Sequence, residues 1–78
     1  MNMEMREKLL EVLTEVCPGV EFEGSTTLID DGVLESLDIV MIVAELNGVF
    51  QVEITVDDLL PDNFNSVDAM LALIESKR

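Results

Sequence analysis

Apolar residues recur at helical spacing over residues 3–17. Met5, Leu9, Val12, Leu13 and Val16 fall on one face, the pattern of a helix that buries one side. Pro18-Gly19 ends the run, because proline cannot continue the hydrogen-bond ladder and glycine accepts the turn. A second helical run spans Ser36–Phe50. On a wheel at about 100° per residue, Ile39, Val43, Leu46 and Phe50 form a core stripe with Ile42 at its margin. Leu37, Val40, Met41 and Ala44 form a second apolar stripe. Asp38 and Glu45 divide the two stripes on one edge, and Ser36 and Asn47 divide them on the other. A surface helix in a small bundle needs only one apolar stripe. The second is therefore expected to stay open to a partner rather than lie under the preceding loop.

That loop covers residues 18–35. Val20, Phe22, Leu28, Ile29, Val33 and Leu34 are too many apolar side chains for a disordered linker, so the loop is expected to pack onto the helices. A long loop in so short a chain also suggests function. After the second helix, Gln51-Val52-Glu53-Ile54 alternates but is too short to assign as a strand. Thr55-Val56-Asp57-Asp58 has the form of a capping box, and the short helix it opens is expected to end at Pro61. Asn65 or Ser66 then caps a last helix with Val67, Met70, Leu71 and Ile74 on one face. Lys77 and Arg78 suit its C-terminal dipole. The expected fold is all-α: a small four-helix bundle of three longer helices and one short one, with a long loop between helices one and two. One domain is expected over residues 1–78.

Composition narrows the chemistry. Acidic residues number 17 against 4 basic ones, a net charge of −13. The basic residues Arg6, Lys8, Lys77 and Arg78 stand near the chain ends and form no phosphate-binding stripe, so nucleic acid is not an expected partner. An acidic surface speeds encounter with basic protein patches. With no histidine, serine–histidine catalysis and most zinc sites are excluded, and the many carboxylates are expected to be solvated surface residues. The single Cys17 cannot form an internal disulfide, which fits a reducing compartment; it is expected to be a small core residue. Residues 1–8 mix acids and bases ahead of no apolar run, and the longest unbroken apolar stretch, residues 39–44, is too short for a membrane span. A cytoplasmic monomer is the expectation.

Ser36 lies in Asp30-Asp31-Gly32-Val33-Leu34-Glu35-Ser36-Leu37-Asp38, where a polar loop becomes an apolar helix. Taken alone, a serine there is a helix cap worth about 1 kcal/mol. A helix N-terminus also favours an attached phosphate, because free N–H groups and the macrodipole meet it. A calcium loop built on Gly32 would place Thr27 and Ile29 at ligand positions, which they do not suit. A kinase acceptor is compatible with the acidic neighbours but has no further support.

With these residues in view, the sequence resembles the acyl carrier protein family. Its pattern is an acidic residue, usually Asp, then Ser and a large apolar residue at the start of the second helix, here Glu35-Ser36-Leu37-Asp38. The resemblance extends to Asp31-Gly32-Val33-Leu34 and Phe50-Gln51-Val52-Glu53-Ile54. It implies that Ser36 carries a 4′-phosphopantetheine arm attached by a phosphopantetheinyl transferase, whose thiol holds an acyl or aminoacyl group as a thioester. It further implies that the chain carries out no chemistry itself, so no enzyme activity is expected, and that Leu37, Val40, Met41 and Ala44 are docked by a loading ligase and by acyl-transferring enzymes. Glu35, Asp38 and Glu45 would meet the basic docking patches of those partners. Fatty-acid carriers usually bear more acids on helix two, where this chain has Met41, Asn47 and Gly48. The segment Leu60-Pro61-Asp62-Asn63-Phe64-Asn65-Ser66 looks more like aminoacyl or D-alanyl carriers. An unmodified, carrier-like adaptor remains the alternative.

Overall fold

The structure, a computed structural model, describes residues 3–78. Helix α1 spans Met3–Val16, α2 Ser36–Phe50, α3 Pro61–Phe64 and α4 Val67–Lys77, with a single 3₁₀ turn at Val56–Asp58. No strand occurs among the described residues, so the expected all-α bundle with three longer helices and a long first connection is what forms. Helix α1 packs against both α2 and α4, and α3 packs on α4. Between them lie Leu9 and Leu13 of α1, Ile42 and Leu46 of α2, Phe64 of α3, and Met70 and Ile74 of α4, all fully buried. Fully burying one such side chain stabilises by about 1.5–3 kcal/mol, so a handful of them dominates a core this small.

Three local expectations change. On α2, Ile42 and Leu46 are the buried residues, while Ile39, Val43 and Phe50 are only half-buried. The inward face is thus centred nearer Ile42 than the wheel placed it, because α1 meets α2 at that edge. Helix α1 ends at Val16, and Cys17 lies just beyond, although its N–H still donates to the Leu13 carbonyl at 2.8 Å. Pro61 does not end a helix; it begins one, at the first helical position of α3. The N–H that proline lacks has no intrahelical partner there, and its fixed φ suits the first turn. The Thr55–Asp58 capping box closes only the 3₁₀ turn, with the Thr55 N–H donating to Asp58 Oδ2 at 2.9 Å.

Between α2 and the 3₁₀ turn, Val52 and Ile54 are buried while Gln51 and Glu53 are exposed. The alternation seen in the sequence is therefore real, but no second strand pairs with it. The side chain of Asn47 takes that place. Its Oδ1 accepts from the Ile54 N–H at 2.9 Å and its Nδ2 donates to the Ile54 carbonyl at 3.3 Å. Gln51 turns the chain at the end of α2 in the left-handed region, at φ 54° and ψ 49°. At the far end, Ser66 caps α4, its Oγ accepting from the Ala69 N–H at 3.0 Å. Lys77 is not left to the helix dipole: its Nζ pairs with Asp58 Oδ2 at 2.8 Å and ties the end of α4 to the 3₁₀ turn. That ammonium, together with the Thr55 N–H, holds the Asp58 carboxyl below the usual aspartate range.

Replacing Asn47 by alanine strands a partly buried Ile54 N–H and carbonyl. It is expected to cost about 1–3 kcal/mol, read as a lower denaturation midpoint with an unchanged slope. A depressed carboxyl pKa gives stability that is present above the unfolded aspartate value and lost as pH falls through the folded one. Lys77→Met should therefore move the Asp58 titration up toward the ordinary aspartate value of about 4, as followed by its side-chain carboxyl carbon shift in NMR.

Candidate functional site

The segment that delivers the chain to α2 is anchored by burial. Phe22, Leu28 and Leu34 are almost wholly removed from solvent, while Val20 and Ile29 pack half-buried against the core. Val33, expected to pack with them, instead points outward. Within the loop, Thr27–Gly32 is a tight turn: the Asp31 N–H donates to the Thr27 carbonyl at 2.8 Å and the Gly32 N–H to the Ile29 carbonyl at 3.0 Å. Gly32 adopts φ 74°, which a residue with a Cβ reaches only with strain. The chain then doubles back, the Leu34 N–H donating to the Leu28 carbonyl at 2.9 Å.

Glu35, not Ser36, is the N-cap of α2. Its backbone is extended (φ −113°, ψ 172°), and its N–H donates to Asp38 Oδ2 at 3.1 Å. Ser36 is the first helical residue. Capping needs an extended residue one place earlier whose side chain reaches the second or third helical amide, so the capping role expected for Ser36 belongs to its neighbour's position. The Ser36 side chain is exposed and makes no hydrogen bond among the described residues. A hydroxyl in that place is reachable from outside, and the unpaired amides of the first turn favour negative charge beside it. No general base stands ready: the chain has no histidine, and the Asp38 carboxylate is engaged by Glu35. Among the described residues no group of His, Cys, Asp and Glu could hold a metal ion.

The second apolar stripe of α2 is open. Leu37 is 70% exposed, Val40 54% and Met41 41%, and Ala44, Glu35 and Glu45 are exposed as well. Asp38 is half-buried. The loop therefore does not cover this face, and Val33, 43% exposed, adds to the apolar surface from the loop side. Two residues not anticipated from the sequence belong here. Glu15 and Val16 at the end of α1 join Met41, Ala44 and Glu45 around an open groove of about 400 Å³. Periodicity assigned Val16 to the core; only the packing of α1 on α2 places it and Glu15 beside the stripe. Cys17 is half-buried at the same end of α1. Burial, followed by the nearby Asp38 charge, pushes its thiol above the ordinary cysteine value.

An exposed, unbonded serine hydroxyl at the head of a helix flanked by open apolar surface suits covalent attachment of a phosphate-linked group. Comparisons with known proteins define the family. The chain matches the phosphopantetheine attachment site family over residues 5–74, and it belongs to that family. Proteins of this family are carriers whose 4′-phosphopantetheine is bound covalently to a serine. The D-alanyl carrier protein of Lactococcus lactis subsp. lactis (strain IL1403) is 22% identical over 76 residues, covering 95% of this chain and 96% of that protein. The D-alanyl carrier protein of Lactococcus lactis subsp. cremoris (strain MG1363) is 21% identical over 75 residues, covering 94% and 95% respectively. No solved structure matches this chain. Among the described residues no helix is long and apolar enough to cross a membrane.

Because the thiolate is the reactive form, the raised pKa of Cys17 has a chemical consequence. At pH 8, iodoacetamide should alkylate Cys17 in the folded chain several-fold more slowly than the same thiol in urea, as read by intact mass against time.

Proposed function

We propose that this protein carries an acyl or aminoacyl group as a thioester on a 4′-phosphopantetheine arm attached to Ser36, and presents it to partner enzymes. The observation that supports Ser36 most directly is its hydroxyl: exposed, free of internal hydrogen bonds and set at the first position of α2. In attachment, the Ser36 oxygen takes the phosphopantetheinyl group from coenzyme A. A bond from that oxygen to phosphorus forms, the pyrophosphate bond breaks, and adenosine 3′,5′-bisphosphate leaves. The proton passes to a base of the transferase, since this chain holds no base at hand. The arm supplies a terminal thiol for the cargo; the amides at the head of α2 favour the phosphodiester charge beside Ser36.

Leu37, Val40, Met41 and Ala44 give partners an apolar contact, and Glu35, Asp38 and Glu45 meet their basic residues. A net charge of −13 favours fast, salt-sensitive encounter with such patches. The chain acts as one cytoplasmic, monomeric carrier unit over residues 1–78, without catalysis of its own. Among cargoes, D-alanine or another amino acid is favoured over a fatty acid. Two things support that preference: the names of the similar proteins, and an α2 that carries Met41, Asn47 and Gly48 where fatty-acid carriers tend to be acidic.

A broad-specificity phosphopantetheinyl transferase with coenzyme A and Mg²⁺ should raise the intact mass by one pantetheine arm, and Ser36→Ala should abolish the gain. An unchanged mass with several competent transferases would leave an unmodified adaptor instead. Offered to a D-alanine-activating ligase with ATP, the modified chain should gain one D-alanyl group that hydroxylamine removes; no gain would turn the cargo assignment to acyl groups.

A further inference from the structure

Asn65 lies between α3 and α4, far in sequence from Ser36, and is the one polar residue buried in the core among the described residues. All of its hydrogen bonds from side chain and carbonyl run to the loop that precedes α2. Its Oδ1 accepts from the Ile29 N–H at 2.8 Å and the Asp30 N–H at 3.1 Å, and its Nδ2 donates to Asp30 Oδ2 at 3.3 Å. Its own carbonyl accepts from the Leu28 N–H at 2.9 Å. Leu28 in turn holds Leu34 through the bond from the Leu34 N–H to the Leu28 carbonyl. Leu34 directly precedes the N-cap residue Glu35, and Ser36 follows. Two hydrogen bonds therefore connect the backbone of Asn65 to the residue before the cap of the serine helix.

We infer that Asn65 is a positioning residue for modification at Ser36: it clamps residues 28–30 so that Glu35 and Ser36 are held in the conformation the transferase binds. This rests on Ser36 being the attachment site. The physical basis is conformational selection. Burial of Leu28 and Leu34 keeps the loop near the core, but hydrophobic contact is non-directional and does not fix the orientation of a turn. Two backbone N–H groups donating to one buried side-chain oxygen, and its amide nitrogen donating to the Asp30 carboxylate, do fix it, because hydrogen bonds are directional. If the clamp is lost, the loop samples other turns, and the apparent affinity of the transferase falls by the fraction of time the competent form is populated.

The test compares transferase kinetics and the NMR protection of the Leu34 and Ile39 amides, which donate to the Leu28 and Glu35 carbonyls, in four chains: wild type, Asn65→Ala, Asn65→Asp, and Asn65→Asp combined with Asp30→Asn. Ile74→Val, two turns further along α4, serves as a control that trims the core without touching the loop. Asn65→Ala is expected to raise KM roughly tenfold with kcat within about twofold, and to lower protection at Leu34 and Ile39. Asn65→Asp keeps an acceptor for the Ile29 and Asp30 amides but loses the donor to Asp30 and faces its carboxylate, so a smaller rise in KM is expected. The double exchange restores a donor on one side and an acceptor on the other, and should recover most of the loss. Ile74→Val should leave KM at the wild-type value at temperatures where it is folded. Unchanged KM and unchanged Leu34 and Ile39 protection in Asn65→Ala, or no recovery in the double exchange, would overturn the clamp. If Asn65→Ala does not fold, the Asp30 and Asn65 exchange decides. If the wild-type chain takes no arm at all, the assignment of Ser36 falls; the clamp is then judged on amide protection alone, with unchanged values overturning it.

Discussion

Three side chains of the first loop, Phe22, Leu28 and Leu34, are inserted among the helices, and the rest of the structure depends on that insertion. Conformational entropy opposes ordering a long connection, at about 1–2 kcal/mol per backbone residue. Without burial, residues 17–35 would have no reason to adopt one path. Once Leu28 and Leu34 are buried, the turn between them has to close over a short span, and Gly32 supplies the positive φ that closure needs. The start of α2 then follows from where Leu34 is held. The position of Ser36 is thus a consequence of core packing and of loop hydrogen bonds several residues upstream rather than of any interaction made by the serine itself.

Division of labour between the faces of α2 follows from the same economy of surface. A chain this short cannot cover every apolar residue it contains. Helix α1 occupies the face centred on Ile42 and Leu46, and the segment after α2 is held along one edge by Asn47. What remains is the stripe through Leu37, Val40 and Met41, left open and bordered by acids. A high net negative charge disfavours self-association through an open apolar stripe, and in the proposed role the same charge would attract basic partners. Under the proposed function exposure and acidity act together: one would offer contact area and the other would restrict which proteins reach it.

Few cations are available, and most tie distant segments together. Arg6 bridges Glu23 of the loop and Asp68 of α4 at 2.8 and 2.7 Å, and Lys77 holds the 3₁₀ turn to the last helix. Ion pairs this exposed contribute little each. Their value is geometric: in a molecule with net charge −13 they relieve repulsion where acidic segments must come close. The interior relies instead on neutral amides. Asn47 and Asn65 each substitute for backbone partners that the segments beside them lack.

The sequence by itself determined the helical class, the position of α2 and the loop before it, the two stripes of α2 and the singular place of Ser36. Helical periodicity is a property of neighbouring residues, and so is the change from polar loop to apolar helix; both survive in one dimension. It could not determine that Glu35 rather than Ser36 takes the cap, that Pro61 opens a helix, or that Ile42 lies at the centre of the buried face. Those depend on backbone angles and on which side of α2 is met by α1. Asn47 and Asn65 were the least legible, since in sequence an asparagine near a turn looks like any other turn residue. Only the tertiary structure shows which backbone amides lack a partner, and a lone side chain acquires its role when folding brings such an amide within 3 Å of it.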